Sequence, residues 1–399
     1  MKTSSEKIVI LSAVRTPIGK YGGSFKDTSA VSLGVVASVE AMKRAGVSPS
    51  QIDEVIFGMA RQAGNRPNPA RQVLYHSGIP VDRPAFTVNK ACASGIKAIT
   101  LASQSLLLGE NKIVLAGGTE NMSQIPYLLD GARWGYRLGD GVLIDAMYRD
   151  GLFCPLADMI MGETADILAE KLGISRREQD EYALESQMKA KTAVEKGLFR
   201  DEIVSVAVKG RGGQECLISD DEHPRPDTAL EKLAKLPPVF RKGGTVTAGN
   251  SSGLTDAAAA LVLTTDSEAK KLGARPLAEV LGFASGAVDP KEMGLGPVPA
   301  TRKVLKSLKL KLGDFDLIEI NEAFAAQVLA CERDLKWEPA RRNIRGGAIA
   351  LGHPIGCTGA RITVTLLHSL IREDKELGLA TLCVSGGQGM ALVLKRLRT

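Results

Sequence analysis

Short apolar runs without polar alternation punctuate this chain. Lys7-Ile8-Val9-Ile10-Leu11, Asp53-Glu54-Val55-Ile56-Phe57 and Lys112-Ile113-Val114-Leu115-Ala116-Gly117-Gly118 are the first three. Runs of roughly five residues with this pattern suit strands covered on both faces. Helical spacing follows in Ile96, Ile99, Ala102 and Leu106, and Gly109 stops it. The second half echoes the first: Asp316-Leu317-Ile318-Glu319-Ile320 is placed like the Asp53 run and Ala380-Thr381-Leu382-Cys383-Val384 like the Lys112 run. Gly95 and Gly359 each open a helix in this reading. The offsets nearly agree, 263 from Asp53 to Asp316 and 264 from Gly95 to Gly359, which points to an internal duplication. Each half is expected to be an α/β unit, a sheet covered by helices.

Residues from about Glu120 to Gly249 do not fit the repeat. They hold a loop rich in Gly, Tyr, Trp and Arg (Ser123 to Gly141), a charged helical region (Ile174 to Gly197) and a polar run (Ser219 to Asp227). Thr245 to Gly253 returns the chain to the first half, and Ala258 to Leu263 adds one more buried strand. The expected division is a first half over 1–120 completed by 250–271, an inserted substrate-facing loop domain over 121–249, and a second half over 272–399.

Composition bounds the function. With 399 residues and 44% apolar content, the chain exceeds one typical core. Lys plus Arg number 51 against 45 acidic residues, a net +6. The excess is mild, unclustered and without interleaved aromatics, which argues against nucleic acid and suits an anionic small substrate. Met1 to Lys7 shows no signal-peptide pattern, and no run nears the ~18 apolar residues of a membrane span. Cys92, Cys154, Cys216, Cys331, Cys357 and Cys383 are scattered, as expected of reduced thiols in a cytoplasm. None forms the close pairs of a zinc site, so no metal is expected.

Three segments place a reactive side chain among small residues: Asn89-Lys90-Ala91-Cys92-Ala93-Ser94-Gly95, Gly346 to Pro354 around His353, and Cys383-Val384-Ser385-Gly386-Gly387-Gln388-Gly389. Cys92 stands just before a helix, where the partial positive charge is expected to stabilise a thiolate and lower its pKa; a small buried cysteine is the plainer reading. His353, before Pro354, is a candidate base or a structural loop histidine. Cys383 is equally an active-site group or a buried strand residue.

Together with Val14-Arg15-Thr16-Pro17-Ile18-Gly19 and Asn321-Glu322-Ala323-Phe324, these segments closely resemble the thiolase family, over essentially the whole chain. The resemblance implies a duplicated five-layered α/β/α/β/α fold with an inserted loop domain. It also implies thiolysis of a 3-oxoacyl-CoA by coenzyme A, or the reverse Claisen condensation, in fatty-acid metabolism including β-oxidation. Acyl-CoA and coenzyme A are the partners implied, with no separate cofactor.

By that resemblance Cys92 is the nucleophile, His353 the base, and Cys383 the acid that also removes the α-proton in condensation. Asn321 holds a water that completes an oxyanion hole with His353. The Cys92 and Ser385 N–H groups form a second hole, where Ser385 replaces the usual glycine and its Cβ is expected to restrict the backbone. Ser252 and Arg225 contact coenzyme A, while Met161 and Phe324 lie near the acyl group. Ile160 stands where acetoacetyl-specific members tend to carry histidine, and Cys357 where alanine is common. A decarboxylating ketoacyl synthase would pair His353 with a second His or an Asn, and a non-catalytic lipid carrier would lose reactive residues. The aromatic loop Ser123 to Gly141, with Tyr127, Trp134 and Tyr136, is expected to join dimers into a homotetramer.

Overall fold

A computed structural model describes residues 6–210 and 213–398; Met1 to Ser5, part of the charged start read above, lies outside them. The apolar runs form strands β1 (Ile8–Arg15), β2 (Glu54–Gly58), β3 (Ala85–Val88), β4 (Ile113–Asn121) and β5 (Thr255–Thr265). The second set is β6 (Ala278–Ala287), β7 (Leu317–Ile320), β8 (Leu377–Val384) and β9 (Gln388–Arg396). Their order is β7-β8-β9-β6-β1-β5-β4-β2-β3. The two halves meet where β1 pairs antiparallel with β6, through Val9 opposite Glu279 and Ile10 opposite Ala278.

Within each half the pattern repeats. β2 runs parallel to β4 and β7 parallel to β8, while β5 and β9 run antiparallel to their neighbours. The repeat is imperfect at one edge: β3 has no counterpart beyond an isolated bridge from Ile318 to Arg342. Every residue of β1 and β4 is buried, as strands covered on both faces must be.

The helices supply the covers. α1 (Ala30–Ala45) lies on one outer face, α5 (Pro297–Leu308) and α6 (Ala325–Leu335) on the other. Between the halves run α2 (Ser94–Leu108) and α7 (Ile355–Arg372), packed on each other and on the inner strands. The layers are therefore helix, sheet, helix, sheet, helix. α2 is long and apolar enough to be compared with a membrane span, but 61% of Ala91–Leu108 is buried inside the protein, where it packs against α7.

α2 and α7 approach closely at the two glycines of the repeat. A Cβ on Gly95 would lie 2.6 Å from the Ala360 nitrogen, and one on Gly359 2.3 Å from the Ile96 nitrogen; only hydrogen fits. Gly359 does not open its helix as the spacing suggests: α7 starts four residues earlier, at Ile355, behind Pro354. Proline tolerates a helix start and no interior position, so it fixes that boundary more firmly than the glycine.

The segment between β4 and β5 contributes α3 (Met161–Leu172), α4 (Arg176–Glu195) and small hairpins. Its apolar residues share the cores of the two halves. Ala165, Leu168 and Ile174 pack with Phe324, Ala326 and Cys383, and Tyr182 and Ala183 with Ile318 and Ile320. Buried Arg15 of β1 binds Glu202 and Asp221 of this segment, at 2.5 and 2.7 Å.

Candidate active site

Of the catalytic and substrate-binding residues expected from the resemblance, all but Asn321 line one cavity of about 800 Å³: Cys92, His353, Cys383, Ser385, Ser252, Arg225, Met161 and Phe324. Asn321 is wholly buried, in contact with His353 behind the cavity wall.

Cys92 sits on a turn between β3 and α2. Ala91 before it has φ 46°, a left-handed conformation unfavourable for a residue with a Cβ. Hydrogen bonds hold the turn: Asn89 Oδ1 accepts the Ala91 N–H at 2.9 Å, and Ser94 Oγ accepts that of Lys90 at 2.8 Å and donates to Ala91 O at 2.7 Å. The thiol's acidity differs from the sequence expectation of a lowered pKa. Burial raises it, against the pull of the Arg61 charge and the N–H groups of Ser385 and Cys92 itself, while Glu120 adds to the rise. Losing water at the sulfur outweighs these pulls.

His353 lies two residues before α7. Burial, with the positive charges of Arg361 and Arg61, pushes its pKa down to about 3, so the ring is neutral at neutral pH. Hydrogen bonds assign its tautomer. Thr358 Oγ1 donates to Pro354 O at 2.9 Å and lies 2.6 Å from His353 Nδ1. A hydroxyl has one proton, so Nδ1–H donates to Thr358 and Nε2 carries the free lone pair. Nε2 lies 3.4 Å from Asn321 Nδ2. A neutral thiol and a neutral base share the cavity, in place of a preformed ion pair.

Cys383 ends β8 at a turn made by Gly386 and Gly387, φ 81° and 80°. Its thiol is pushed well above the ordinary value by burial, then by Cys92 and Cys331; it stays protonated. Ser385 lies outside the left-handed region that would strain a side chain, so the restriction expected of its Cβ does not arise. Cys357 is fully buried among apolar side chains, its pKa pushed up to about 12.

Two buried carboxylates tie the loops together. Glu120, at the end of β4, accepts N–H bonds from Ala60, Arg61 and Gly356, at 3.1, 3.1 and 2.7 Å, linking the β2 turn to the His353 loop. Glu322 accepts from Tyr182, Ser186, Asn343 and the Ile349 N–H. Neither, nor Thr358, Arg61 or Phe240, was singled out from sequence. Their only sequence signal is adjacency to a motif, which says nothing of direction.

One wall of the cavity is apolar. Phe240 crosses Phe324 edge-on, ring centroids 5.9 Å apart, and its ring covers Gly162, where a Cβ would lie 2.2 Å away. The lining also includes Ser252, whose N–H donates to Ala323 O at 3.0 Å, Arg225, and His223, whose Nδ1 meets Ala350 O at 2.9 Å.

The family models "Thiolase, N-terminal domain" and "Thiolase, C-terminal domain" match residues 8–267 and 274–396. The chain is 52% identical to the acetyl-CoA acetyltransferase of Escherichia coli K12 over 390 residues, covering 98% of this chain and 99% of that protein. It is 49% identical to that of Syntrophomonas wolfei over 397 residues, covering 98% and 100%. The crystal structure of the Bacillus anthracis acetyl-CoA acetyltransferase superposes with a TM-score of 0.97 at 47% identity, covering 99% and 100% of the two chains. Human mitochondrial 3-ketoacyl-CoA thiolase in complex with CoA gives 0.95 at 42%, covering 98% of each.

Thr358→Val removes the acceptor that fixes the His353 tautomer. It should lower kcat roughly 10–100-fold, the usual cost of an orienting partner, with little change in KM, and Thr358→Ser should restore most of the rate. Steady-state thiolysis of acetoacetyl-CoA measures both, and an unchanged kcat in the valine variant would refute the tautomer assignment.

Proposed function

We propose a division of labour for a chain that belongs to the thiolase family and is an acyltransferase between acyl-CoA and coenzyme A. Cys92 gives its proton to His353 Nε2 and attacks C3 of a 3-oxoacyl-CoA. The N–H groups of Cys92 and Ser385 receive the tetrahedral oxyanion. The C2–C3 bond then breaks, and the enolate of acetyl-CoA takes a proton from Cys383 at C2. Its oxygen is held by His353 Nε2–H and a water on Asn321. Coenzyme A gives its thiol proton to the Cys383 thiolate and attacks the Cys92 thioester; the Cys92 thiolate that leaves takes back the proton held on His353 Nε2. Condensation runs the same steps backwards.

The observation that carries this reading is the protonation pattern: His353 neutral with its lone pair at Nε2, and both thiols raised by burial. A neutral base and a protonated acid are the forms the first step and the enolate step require. Ser252 and Arg225, which line the cavity, suit the pantetheine arm and the phosphate end of coenzyme A, the ligand of the human thiolase named above. Met161, Ile160, Phe240 and Phe324 suit an acyl tail. The six free cysteines suit a cytoplasmic enzyme, and no separate cofactor is required.

Assembly as a homotetramer is supported by the loop between β4 and α3. Trp134 is 87% exposed and Leu138 97%, with Tyr127, Tyr136 and Leu143 exposed nearby, more apolar surface than a lone monomer usually displays in one place.

Cys383→Ser should accumulate acetyl on Cys92 when given radiolabelled acetyl-CoA, while Cys92→Ser should accumulate none. Label on Cys383 in the wild type would reverse the roles. For chain length, 3-oxohexanoyl-CoA should be thiolysed with a kcat/KM within about a hundredfold of acetoacetyl-CoA, since each buried methylene is worth about 0.8 kcal/mol. A larger fall would mean that Ile160 closes the cavity. Light scattering should give four times the 42.3 kDa chain mass and a smaller assembly when 123–141 is shortened; an unchanged tetramer would remove the loop from that role.

A further inference from the structure

One guanidinium on the wall of the cavity has a buried nitrogen without a hydrogen-bond partner. Arg61 follows β2 and lines the cavity beside Cys92, Met122, Leu152 and Ile160. Its Nη2 donates to the Gly151 carbonyl at 2.5 Å, and its Nε is buried without a partner. Among the described residues it forms no ion pair. The acid it feels, Glu120, has its oxygens engaged by the N–H groups of Ala60, Arg61 and Gly356.

The position is beside the nucleophile, whose thiol feels the Arg61 charge. Leu152 packs with Ala60, Met122, Ile355 and Cys92, and Gly151, which meets the Arg61 guanidinium, precedes Leu152. Arg225 and Ser252, suited to coenzyme A, line the same cavity. A hydrocarbon tail entering here would strip water from an unpaired cation, which is costly. A carboxylate would pair with it in the two-pronged geometry that a guanidinium favours.

We propose that Arg61 binds an anionic group at the end of the acyl chain, so that the preferred substrates are 3-oxoacyl-CoA thioesters ending in a carboxylate. This rests on the thiolase reaction above and names its substrate class. The chemistry is unchanged. The C2–C3 bond breaks, acetyl-CoA leaves with a proton from Cys383, and the ω-carboxyacyl group stays on Cys92 until coenzyme A removes it. The distal carboxylate takes no part beyond pairing with Arg61.

The test compares kcat/KM for 3-oxoadipyl-CoA with 3-oxohexanoyl-CoA, and for 3-oxosuberyl-CoA with 3-oxooctanoyl-CoA, each pair matched in length. In the wild type the carboxylate member should be favoured at least tenfold at one length or both. Arg61→Met should abolish or invert that ratio, and Arg61→Lys, which keeps the charge but loses the fork, should fall between. Preference for the methyl-ended member at both lengths overturns the proposal. So does an Arg61→Met variant that slows both members equally, because Arg61 would then act only through Cys92. The wild-type ratio needs no substitution, so a variant that fails to fold does not mask the result. Absence of turnover with acetoacetyl-CoA and all four thioesters would instead remove the thiolase reaction itself.

Discussion

The close crossing of the two central helices governs the rest of the structure. Gly95 and Gly359 bring the backbones of α2 and α7 together where no side chain fits. Cys92 lies two residues before one helix and His353 two before the other. The duplication therefore does more than enlarge the core. Halves joined only along β1 and β6 would not bring the two termini together. Packing the helices directly on each other does, and it leaves the cavity at the end where both begin. β7 and β8 then deliver Asn321 and Cys383 from their carboxyl ends, where open α/β sheets usually place their sites.

Burial, more than neighbouring charges or hydrogen bonds, sets the protonation states there. The N–H groups and Arg61 pull the Cys92 thiol toward ionisation, yet removal of water pushes it further the other way. The same loss of water holds His353 neutral and Cys383 protonated. A preformed thiolate would be paired before substrate arrives, whereas a neutral thiol ionises as the attack proceeds. The oxyanion-hole donors then serve charge that appears only in the reaction, which is where fixed dipoles lower a barrier. Glu120 and Glu322 maintain this order by gathering backbone and side-chain donors from loops that no regular element joins.

The segment between β4 and β5 supplies part of the cavity wall. Its apolar residues pack into the cores of the two halves. Met161, Phe240, Gly151 and Leu152 come from it, and Arg61, after β2, donates to the Gly151 carbonyl. Apolar walls discriminate weakly between chain lengths. A partly buried guanidinium that forms no ion pair would discriminate by charge as well, because a carboxylate can pair with it and a methyl group cannot.

The sequence by itself determined six of the nine strands of the main order, the repeated spacing, and most of the residues that gather at the cavity; β3, β6 and β9 carried no run that was read. Apolar runs of buried strands, such as Ile113 to Ala116, are a local consequence of being covered on both faces, and the repeated spacing of 263 to 264 residues records one fold used twice. Cys92, His353, Cys383 and Asn321 were legible through motifs with a fixed order of small and reactive residues. What only the tertiary structure decided depends on neighbours remote in the chain. The rise of the Cys92 pKa comes from surroundings that bury it. The His353 tautomer comes from a hydroxyl five residues on, and the isolation of Arg61 from the engagement of Glu120, 59 positions away. Local pattern encodes which face of an element is covered. Electrostatic environment is a sum over everything that packs around a group, and that sum exists only once the chain has folded.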